Sequence, residues 1–391
     1  MAYFHSHLQT AVKVIETYKG DLPLSVFLKN FFSKDKKYGS KDRRSIAALC
    51  YAYYRICSAM PGQNFQEIML AGMFLTTSVQ SPMLAALKPD WNEVVHLPVD
   101  KKLEILNVKP ANLFPYFREV SAGIDAGSFG LSFLQQPRLY IRLRPNQLPS
   151  SNKKLVAAAL TYEKITETCL AFENGTKVEA VLEPNKDYVI QDYNSQQTLA
   201  VLETVFPANA TINIWDCCAA SGGKSILATD LLKNIQLTVS DVRDTILANL
   251  HKRFVSAAIK NFHSFEADLS HATSVTNRFA GKPFDLVICD APCTGSGTWS
   301  RTPEQLAFFN PAQIEQYSQL QKKIAGNVMA AIKKGGYLLY ITCSVFKKEN
   351  EEVVEFLREK YPVTLIRQEV LKGYDMRADS MFVALLRMNS E

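Results

Sequence analysis

The stretch Phe284-Asp-Leu-Val-Ile-Cys-Asp-Ala-Pro-Cys-Thr-Gly-Ser-Gly-Thr298 decides the fold. Its first half, Phe284 to Cys289, is an almost continuous apolar run with a single Asp, which is typical of a strand buried on both faces of a parallel sheet. An acid (Asp290), a thiol (Cys293) and a loop of Gly, Ser and Thr follow directly. Ligands of open α/β sheets bind beyond the carboxyl ends of the strands, so this edge is a candidate for chemistry. A small buried Cys in an ordinary turn is the other interpretation.

The chain beyond residue 205 shows alternating strand-like and helical stretches, which predicts a doubly wound α/β domain, Rossmann-like, over residues 206–391. The strands are expected at 211–216, 237–241, 264–267, 284–290, 336–342 and 381–387. The helices between them are expected near 223–233, 243–259, 310–334 and 349–360.

The part of the chain before this domain has a different character, and 391 residues are enough for two or three domains. Residues 1–128 carry apolar positions at helix-like intervals, which predicts an all-helical domain. Residues 130–205 mix strand-like runs with a helix, which predicts a small α+β subdomain. The expected architecture is therefore a Rossmann-like domain preceded by an α+β insert and a helical front domain.

The positive charge is concentrated near the amino-terminal end. Residues 1–60 hold ten Lys or Arg against four acids, so this segment alone accounts for the net charge of +6. A basic module on a neutral body favours a polyanionic partner such as RNA, and Lys41, Arg43 and Arg44 are its candidate contacts. A merely solvated surface is the alternative.

The cysteines and the hydropathy pattern exclude several classes of protein. The eight cysteines show no CxxC or Cys/His zinc spacing, so no metal is expected. We find no secretory signal and no apolar run of about 18 residues that could span a bilayer. Free thiols suit a reducing compartment, so a cytoplasmic protein without a membrane partner is expected.

A strictly alternating segment, Arg138-Leu-Tyr-Ile-Arg-Leu-Arg144, lies in the insert. As a strand it would place three apolar residues on one face and Arg138, Tyr140, Arg142 and Arg144 on the other. Arginine with an interleaved aromatic suits phosphate contacts and base stacking. The alternative is a half-buried sheet whose outer face is simply charged.

The first expected strand of the Rossmann-like domain runs into a loop of small residues, Cys217-Cys-Ala-Ala-Ser-Gly-Gly-Lys-Ser225. Such residues let the backbone approach a ligand closely, with the amides of a helix start turned towards it. The loop ends like a Walker A motif, but Cys218 stands where that motif needs its first Gly, so a P-loop NTPase is not favoured. A GxGxxG fingerprint is also missing, which argues against a nicotinamide dehydrogenase.

Acids end four successive expected strands, at Asp216, Asp241, Asp268 and Asp290. Asp241 is placed to bind a ribose diol, as in nucleoside-binding Rossmann-type folds, and Asp268 to accept a bond from an adenine amino group. One such acid is usually a helix cap, but four together favour S-adenosylmethionine. The expected cofactor contacts are Cys218, Ala219, Ala220, Ser221, Gly222, Gly223, Lys224, Asp241, Asp268 and Asp290.

A second thiol, Cys343, ends the buried strand Gly335-Gly-Tyr-Leu-Leu-Tyr-Ile-Thr342. If this strand adjoins the one that ends at Asp290, Cys293 and Cys343 face one pocket beside the cofactor. A thiolate that adds to carbon 6 of cytosine makes carbon 5 nucleophilic enough to attack a methylsulfonium. Two thiols at one sheet edge therefore suit methylation of a pyrimidine carbon.

These motifs resemble the Sun-type (Fmu) RNA cytosine-5 methyltransferases. The resemblance rests on Asp216-Cys-Cys-Ala-Ala-Ser-Gly-Gly-Lys224, Asp290-Ala-Pro-Cys293, and Thr342-Cys343-Ser344 with Glu349-Asn-Glu351. It implies that Cys343 is the nucleophile and that Cys293 assists product release. It also implies that Asp290 holds ring nitrogen 3 and the exocyclic amine; Lys224 is a candidate to tune the thiol or steady Asp290.

The front helix with Asp42-Arg43-Arg44 resembles a NusB-like RNA-binding domain, which favours small-subunit ribosomal RNA as substrate. Transfer RNA is the first rival. A catalytically silent assembly factor that only binds RNA is a further alternative, although it would need neither thiol. A monomer is expected. Three positions depart from the family pattern: Ser221 replaces a common Pro, Ile246 a common Arg, and Arg144 a usual Asn.

Overall fold

The computed structural model describes residues 2–35, 37–207, 209–279 and 283–390. Lys36, one of the ten basic residues counted above, lies outside them. The helices are α1 (Ala2–Thr17), α2 (Leu24–Ser33), α3 (Ser40–Ile56), α4 (Phe65–Thr76), α5 (Pro82–Leu87), α6 (Pro89–Glu93), α7 (Val99–Ile105), α8 (Ala126–Ser132), α9 (Leu148–Ala157), α10 (Tyr193–Gln197), α11 (Gly223–Leu231), α12 (Asp244–Ser256), α13 (Thr273–Phe279), α14 (Glu304–Phe308), α15 (Ala312–Val328) and α16 (Glu351–Lys360).

The strands are β1 (Leu139–Leu143), β2 (Glu163–Lys164), β3 (Cys169–Phe172), β4 (Tyr188–Ile190), β5 (Thr211–Asp216), β6 (Asn234–Asp241), β7 (Phe262–Glu266), β8 (Phe284–Asp290), β9 (Ile332–Thr342), β10 (Val363–Leu371) and β11 (Met381–Met388). The chain divides into two compact units. The first comprises residues 1–120, 125–136 and 298–310, and the second comprises 121–124, 137–297 and 311–391.

The first unit is helical, as its apolar periodicity predicts. Helices α1 to α4 share one core, in which Leu49, Tyr54 and Phe74 are fully or almost fully buried. Helices α3 and α4 cross closely at Gly72, where an added Cβ would lie 2.2 Å from the Ala52 carbonyl oxygen. The residues 298–310, far away in sequence, belong to this unit and contribute α14.

The second unit contains two sheets. The larger has the order β10-β11-β9-β8-β5-β6-β7; strands β5 to β9 run parallel, β11 pairs antiparallel with β9, and β10 pairs antiparallel with β11. Alternate residues along each strand supply two apolar clusters, one with Ile214 and Ile288 and the other with Trp215 and Cys289. The Rossmann-like α/β fold expected from the sequence is confirmed, with β10 as a strand that the sequence pattern did not reveal.

The smaller sheet has the order β2-β3-β1-β4 and is antiparallel throughout. Strand β1, the alternating arginine segment, is therefore a central strand, and four of its five residues are buried. Among the described residues, no helix combines the length and apolar character needed to cross a membrane.

Candidate active site

The loop after β5 forms a tight turn that leads into α11. Ala220 and Gly222 adopt positive φ values of 46° and 81°, which brings the backbone of this turn to the edge of the sheet. Behind the loop, an added Cβ on Gly222 would lie 2.6 Å from the Phe254 ring, so the residue must remain a glycine. On Gly223, an added Cβ would meet nothing within 4 Å. The turn thus presents open backbone at the start of a helix.

Two buried acids hold this turn to the sheet. Asp216 is fully buried and accepts a 2.6 Å hydrogen bond from Ser225 Oγ in the first turn of α11. Burial raises the pKa of Asp216 to about 7, and the Ser225 bond only partly opposes it. Asp241, at the end of β6, accepts from the Ala220 amide at 3.0 Å and from the Arg243 backbone and side chain at 3.1 Å.

Lys224 and Asp290 form an ion pair between the start of α11 and the end of β8, with Nζ and Oδ2 2.8 Å apart. Burial disfavours the lysine charge, but Asp290 and, more weakly, Cys343 outweigh it, and the pKa of Lys224 is raised. The ammonium therefore stays charged within the site.

The two thiols predicted to face one pocket lie next to each other. Strands β8 and β9 are parallel neighbours, and the sulfur atoms of Cys293 and Cys343 are 3.3 Å apart. The hydrogen bond with Cys343, burial and the nearby Glu349 charge all raise the pKa of Cys293 well above its ordinary value. Cys293 is therefore held as a thiol.

A cavity of about 290 Å³ opens at this edge of the sheet. Of the residues predicted from sequence, Ser221, Gly223, Lys224, Asp290 and Cys343 line it. Asp241 and Asp268 are not among its lining residues, and Asp268 is an exposed side chain that accepts from the Ser270 amide at 2.9 Å. Three of the four catalytic candidates, Lys224, Asp290 and Cys343, thus line one cavity, and the Cys293 sulfur lies 3.3 Å from that of Cys343. Of the ten expected cofactor contacts, four line this cavity and six do not.

Sequence reasoning missed several residues of the cavity wall. Arg253 on α12 reaches the loop after β5, where it donates to the Ser221 carbonyl at 2.8 Å and to its hydroxyl at 2.7 Å. Asp192 and Asp379 also line the cavity. Nothing in the sequence around Arg253 or Asp379 pointed to this position.

The predicted RNA contacts on β1 do not form the exposed basic face that the sequence suggested. Arg142 and Arg144 are buried and both pair with Asp230 on α11, with Arg144 Nε 2.8 Å from the carboxylate. Tyr140 is 1% exposed and donates to the Met376 carbonyl at 2.5 Å. Arg138 pairs with Glu163 near the surface. Asp230 of α11 covers Arg142 and Arg144, and the segment that contains Met376 covers Tyr140.

The other predicted RNA contacts are exposed at the start of α3 in the helical unit. Lys41, Arg43 and Arg44 occupy its first turns. Arg43 Nε donates to the Tyr38 carbonyl at 2.9 Å, and Arg44 Nε donates to the Ser40 carbonyl at 3.3 Å. Their role in RNA binding stays a prediction.

Three further cysteines cluster behind the cavity. The sulfurs of Cys217, Cys218 and Cys289 lie within 4.8 Å of one another, a spacing that could hold a metal ion. Cys217 and Cys289 are embedded in the apolar cluster around Trp215, and burial raises the pKa of Cys217 well above its ordinary value. Cys217 and Cys289 are buried and Cys218 is half-buried, so the cluster also fits core packing of small side chains.

The central sheet and the loop after β5 define a Rossmann-like α/β domain. The crystal structure of PH0851 superimposes with a TM-score of 0.70 over 96% of each chain at 18% identity, and that of a methyltransferase homologue from Pyrococcus horikoshii with a TM-score of 0.58 over 74% of this chain and 98% of that one at 19% identity. NSun6 from Pyrococcus horikoshii, solved with SFG, gives 0.56 over 72% of this chain and 97% of that one at 16% identity. At these identities the likeness concerns the fold alone.

Residues 200–387 match the family model described as 16S rRNA methyltransferase RsmB/F. This match and the curated relatives support the predicted resemblance to the Sun/Fmu-type family of RNA cytosine-5 methyltransferases. The probable ribosomal RNA small subunit methyltransferase B of Bacillus subtilis is 28% identical over 231 residues, 56% of this chain and 49% of that protein. The mouse tRNA (cytosine(72)-C(5))-methyltransferase NSUN6 is 30% identical over 194 residues, 46% and 40% of the two chains. The chain spans about half or less of the length of these curated relatives.

Proposed function

We propose that this protein transfers a methyl group from S-adenosylmethionine to carbon 5 of a cytosine in RNA through a covalent bond between Cys343 and the base. The observation that carries the proposal is the pair of sulfurs 3.3 Å apart at the ends of two parallel strands, next to the Lys224–Asp290 ion pair. A cysteine that only fills space in the core needs no second cysteine beside it. Two adjacent thiols suit a reaction in which one sulfur forms a bond to carbon that is later broken.

The cofactor site fits the loop after β5. Open backbone at Gly223, positive φ at Ala220 and Gly222, and the buried carboxylate of Asp241 provide the close approach and the acid that an adenosyl ligand requires. Ser221, Gly223 and Lys224 of this loop line the cavity that contains Cys343. S-adenosylmethionine bound there supplies a methyl group on a sulfonium. Asp268, which is exposed beyond β7, is a proposed contact for the adenine.

The residues at this site have different roles in the reaction of the cytosine base. The Cys343 thiolate adds to carbon 6, and Asp290 binds ring nitrogen 3 and the exocyclic amine, where Lys224 keeps its carboxylate in place. The electron pair that reaches carbon 5 forms the new bond to the methyl group. Transfer of the carbon-5 proton to a base then reforms the ring double bond and expels Cys343 as a thiolate. Cys293, whose sulfur lies 3.3 Å from that of Cys343, assists this release.

Small-subunit ribosomal RNA is the leading substrate, because the matched family model and the relative from Bacillus subtilis carry that name. Transfer RNA is the second candidate, which the likeness to mouse NSUN6 favours. A silent assembly factor is disfavoured, since binding RNA would not require the ion pair and both thiols in one cavity.

Methyl transfer to unmodified RNA tests the proposal. The purified protein is incubated with labelled S-adenosylmethionine and, in parallel, with unmethylated small-subunit ribosomal RNA and a pool of unmodified transfer RNA. We expect label in 5-methylcytosine of the ribosomal RNA, located by methylation-sensitive sequencing. Label confined to transfer RNA would select the second candidate. If neither RNA is labelled while calorimetry detects cofactor binding, the proposed activity is wrong.

A further inference from the structure

Glu349 is a buried acid that sequence reasoning assigned to no role. It lies in the turn between β9 and α16 and is fully buried. Its carboxylate accepts four hydrogen bonds: from the Thr294 amide at 2.9 Å, the Thr294 hydroxyl at 2.6 Å, the Ser344 hydroxyl at 2.7 Å and Gln321 Nε2 at 3.0 Å. Every bond thus comes from a residue next to, or anchored against, one of the two thiol loops.

The donors flank both reactive sulfurs. Thr294 directly follows Cys293, and Ser344 directly follows Cys343. The Gln321 amide group that bonds Glu349 also donates to the Pro292 carbonyl at 2.9 Å, on the other side of Cys293. One carboxylate therefore fixes the backbone on both sides of one thiol and on one side of the other.

The two loops are also bonded to each other around this carboxylate. The Gly297 amide donates to the Cys343 carbonyl at 2.9 Å, and the Val345 amide donates to Ser296 Oγ at 2.9 Å. The hydroxyls of Thr294, Ser296 and Ser344 lie within 3.3 Å of one another. The carboxylate is the acceptor at which this hydroxyl network ends.

Burial of the Glu349 carboxylate between the two loops has an unfavourable free energy of desolvation. Burial raises the pKa of Glu349, and the bonds from Thr294, Ser344 and Gln321 oppose the shift. Replacing such a buried polar centre by well-packed apolar groups is often neutral or stabilising, so its retention suits a need for fixed geometry. Its charge also contributes to the raised pKa of Cys293, after the Cys343 bond and burial.

We propose that Glu349 is a positioning residue that sets the spacing of Cys293 and Cys343. Only its effect on methyl transfer rests on the proposed function; its effect on the two thiols does not. Substitution should therefore alter how fast the sulfurs react with each other, even in the absence of RNA.

Oxidation of the two thiols by diamide measures their spacing directly. Cys293 and Cys343 lose two protons and two electrons to form a disulfide, and diamide is reduced to its hydrazine. The rate is followed as a function of pH by peptide mapping without reductant. For Glu349→Gln, we expect the plateau rate of disulfide formation at high pH to fall about tenfold because the sulfurs are less well aligned. This factor corresponds to about 1.4 kcal/mol in the activation free energy. The pH midpoint of the rate profile should move to lower pH, because the substitution removes the negative charge of Glu349 near Cys293.

Matched variants separate this role from general stability. Glu359→Gln removes an exposed acid on the adjoining helix and should leave the rate and its midpoint unchanged. Thr294→Val and Ser344→Ala each remove donors to Glu349 and should lower the plateau rate by smaller factors, which keeps the test open if Glu349→Gln does not fold. Methyl transfer by Glu349→Gln should show a lower kcat with unchanged affinity for S-adenosylmethionine.

The outcomes distinguish the two proposals. A folded Glu349→Gln protein with the wild-type plateau rate and midpoint overturns the positioning role. If Glu349→Gln does not fold, wild-type rates in Thr294→Val and Ser344→Ala overturn it as well. If the wild type oxidises faster than Glu349→Gln but methylates no RNA, the positioning role stands and the proposed function fails.

Discussion

Lys224 Nζ lies 2.8 Å from Asp290 Oδ2, and this pair links the turn after β5 to the end of β8. The two strands are parallel neighbours, so the pair joins the loop proposed for the cofactor to the acid proposed for the base. The side chain of Lys224 is 11% exposed, and its ammonium group pairs with the Asp290 carboxylate. The geometry of this edge therefore depends on one cation.

Lys224→Met should lower methyl transfer by at least about 100-fold, roughly 2.7 kcal/mol, because it leaves the Asp290 carboxylate without its partner in a confined site. The initial rate of label incorporation measures the effect. Lys233→Met, which removes an exposed lysine just beyond α11, is the control and should be fully active. A Lys224→Met protein within twofold of wild type would refute the role of this pair.

The titration of Asp216 should make the stability of the folded protein depend on pH. Its pKa is about 7 in the folded protein and near 3.9 in an unfolded chain, so the folded state binds more protons between these values. The contribution of this group to stability is therefore present below about pH 4 and is lost as the pH rises to 7. Asp216→Asn removes the titration.

Urea unfolding from pH 4 to pH 8 checks this sign. We expect the stability of Asp216→Asn to exceed that of the wild type more at pH 8 than at pH 5, since one pKa unit corresponds to about 1.4 kcal/mol. Ser225→Ala, which removes a hydrogen bond that lowers the pKa of Asp216, should extend the decline to higher pH. A constant difference between Asp216→Asn and wild type across this range would contradict the assigned titration.

Asp230 should be a large contributor to the stability of the second unit. It is 5% exposed and pairs with Arg142 and Arg144, so Asp230→Ala leaves two buried guanidinium groups without their carboxylate. We expect a loss of about 3–5 kcal/mol in the free energy of unfolding, measured with urea. Glu183→Ala breaks an exposed ion pair with Lys186 and should cost about 1 kcal/mol or less. Equal effects of the two substitutions would show that the buried network is not stabilising.

The sequence revealed the main sheet well, because buried parallel strands are long apolar runs with clear ends. Strands β5, β8 and β11 occur within one residue of their expected bounds. Strand β10 was missed because it is an edge strand with Ile366, Arg367 and Gln368 exposed, which looks like a surface segment in sequence. Apolar periodicity detects burial, and an exposed edge has little of it.

The arginine segment illustrates what periodicity cannot show. Alternation in residues 138–144 correctly predicted β1, but it could not show that a second layer covers the polar face. That layer includes Asp230, which is 88 residues from Arg142 in sequence. The proximity of the loop after β5, Asp290 and the two thiols was easier to predict, since parallel strands bring their carboxyl ends to one edge. The contacts of Arg253 with Ser221 and of Glu349 with Thr294 join segments that are distant in sequence, so local periodicity could not predict them.

The most direct test of the account is the fate of the RNA when each thiol is removed. The wild type, Cys293→Ala, Cys343→Ala and the control Cys57→Ala are incubated with unmodified small-subunit ribosomal RNA and labelled S-adenosylmethionine, and denaturing gels separate covalent adducts. We predict that Cys293→Ala accumulates a slowly migrating protein–RNA adduct and that Cys343→Ala forms neither adduct nor methylated RNA. Methyl transfer by Cys343→Ala at the wild-type rate would contradict the central claim that its sulfur bonds to the base.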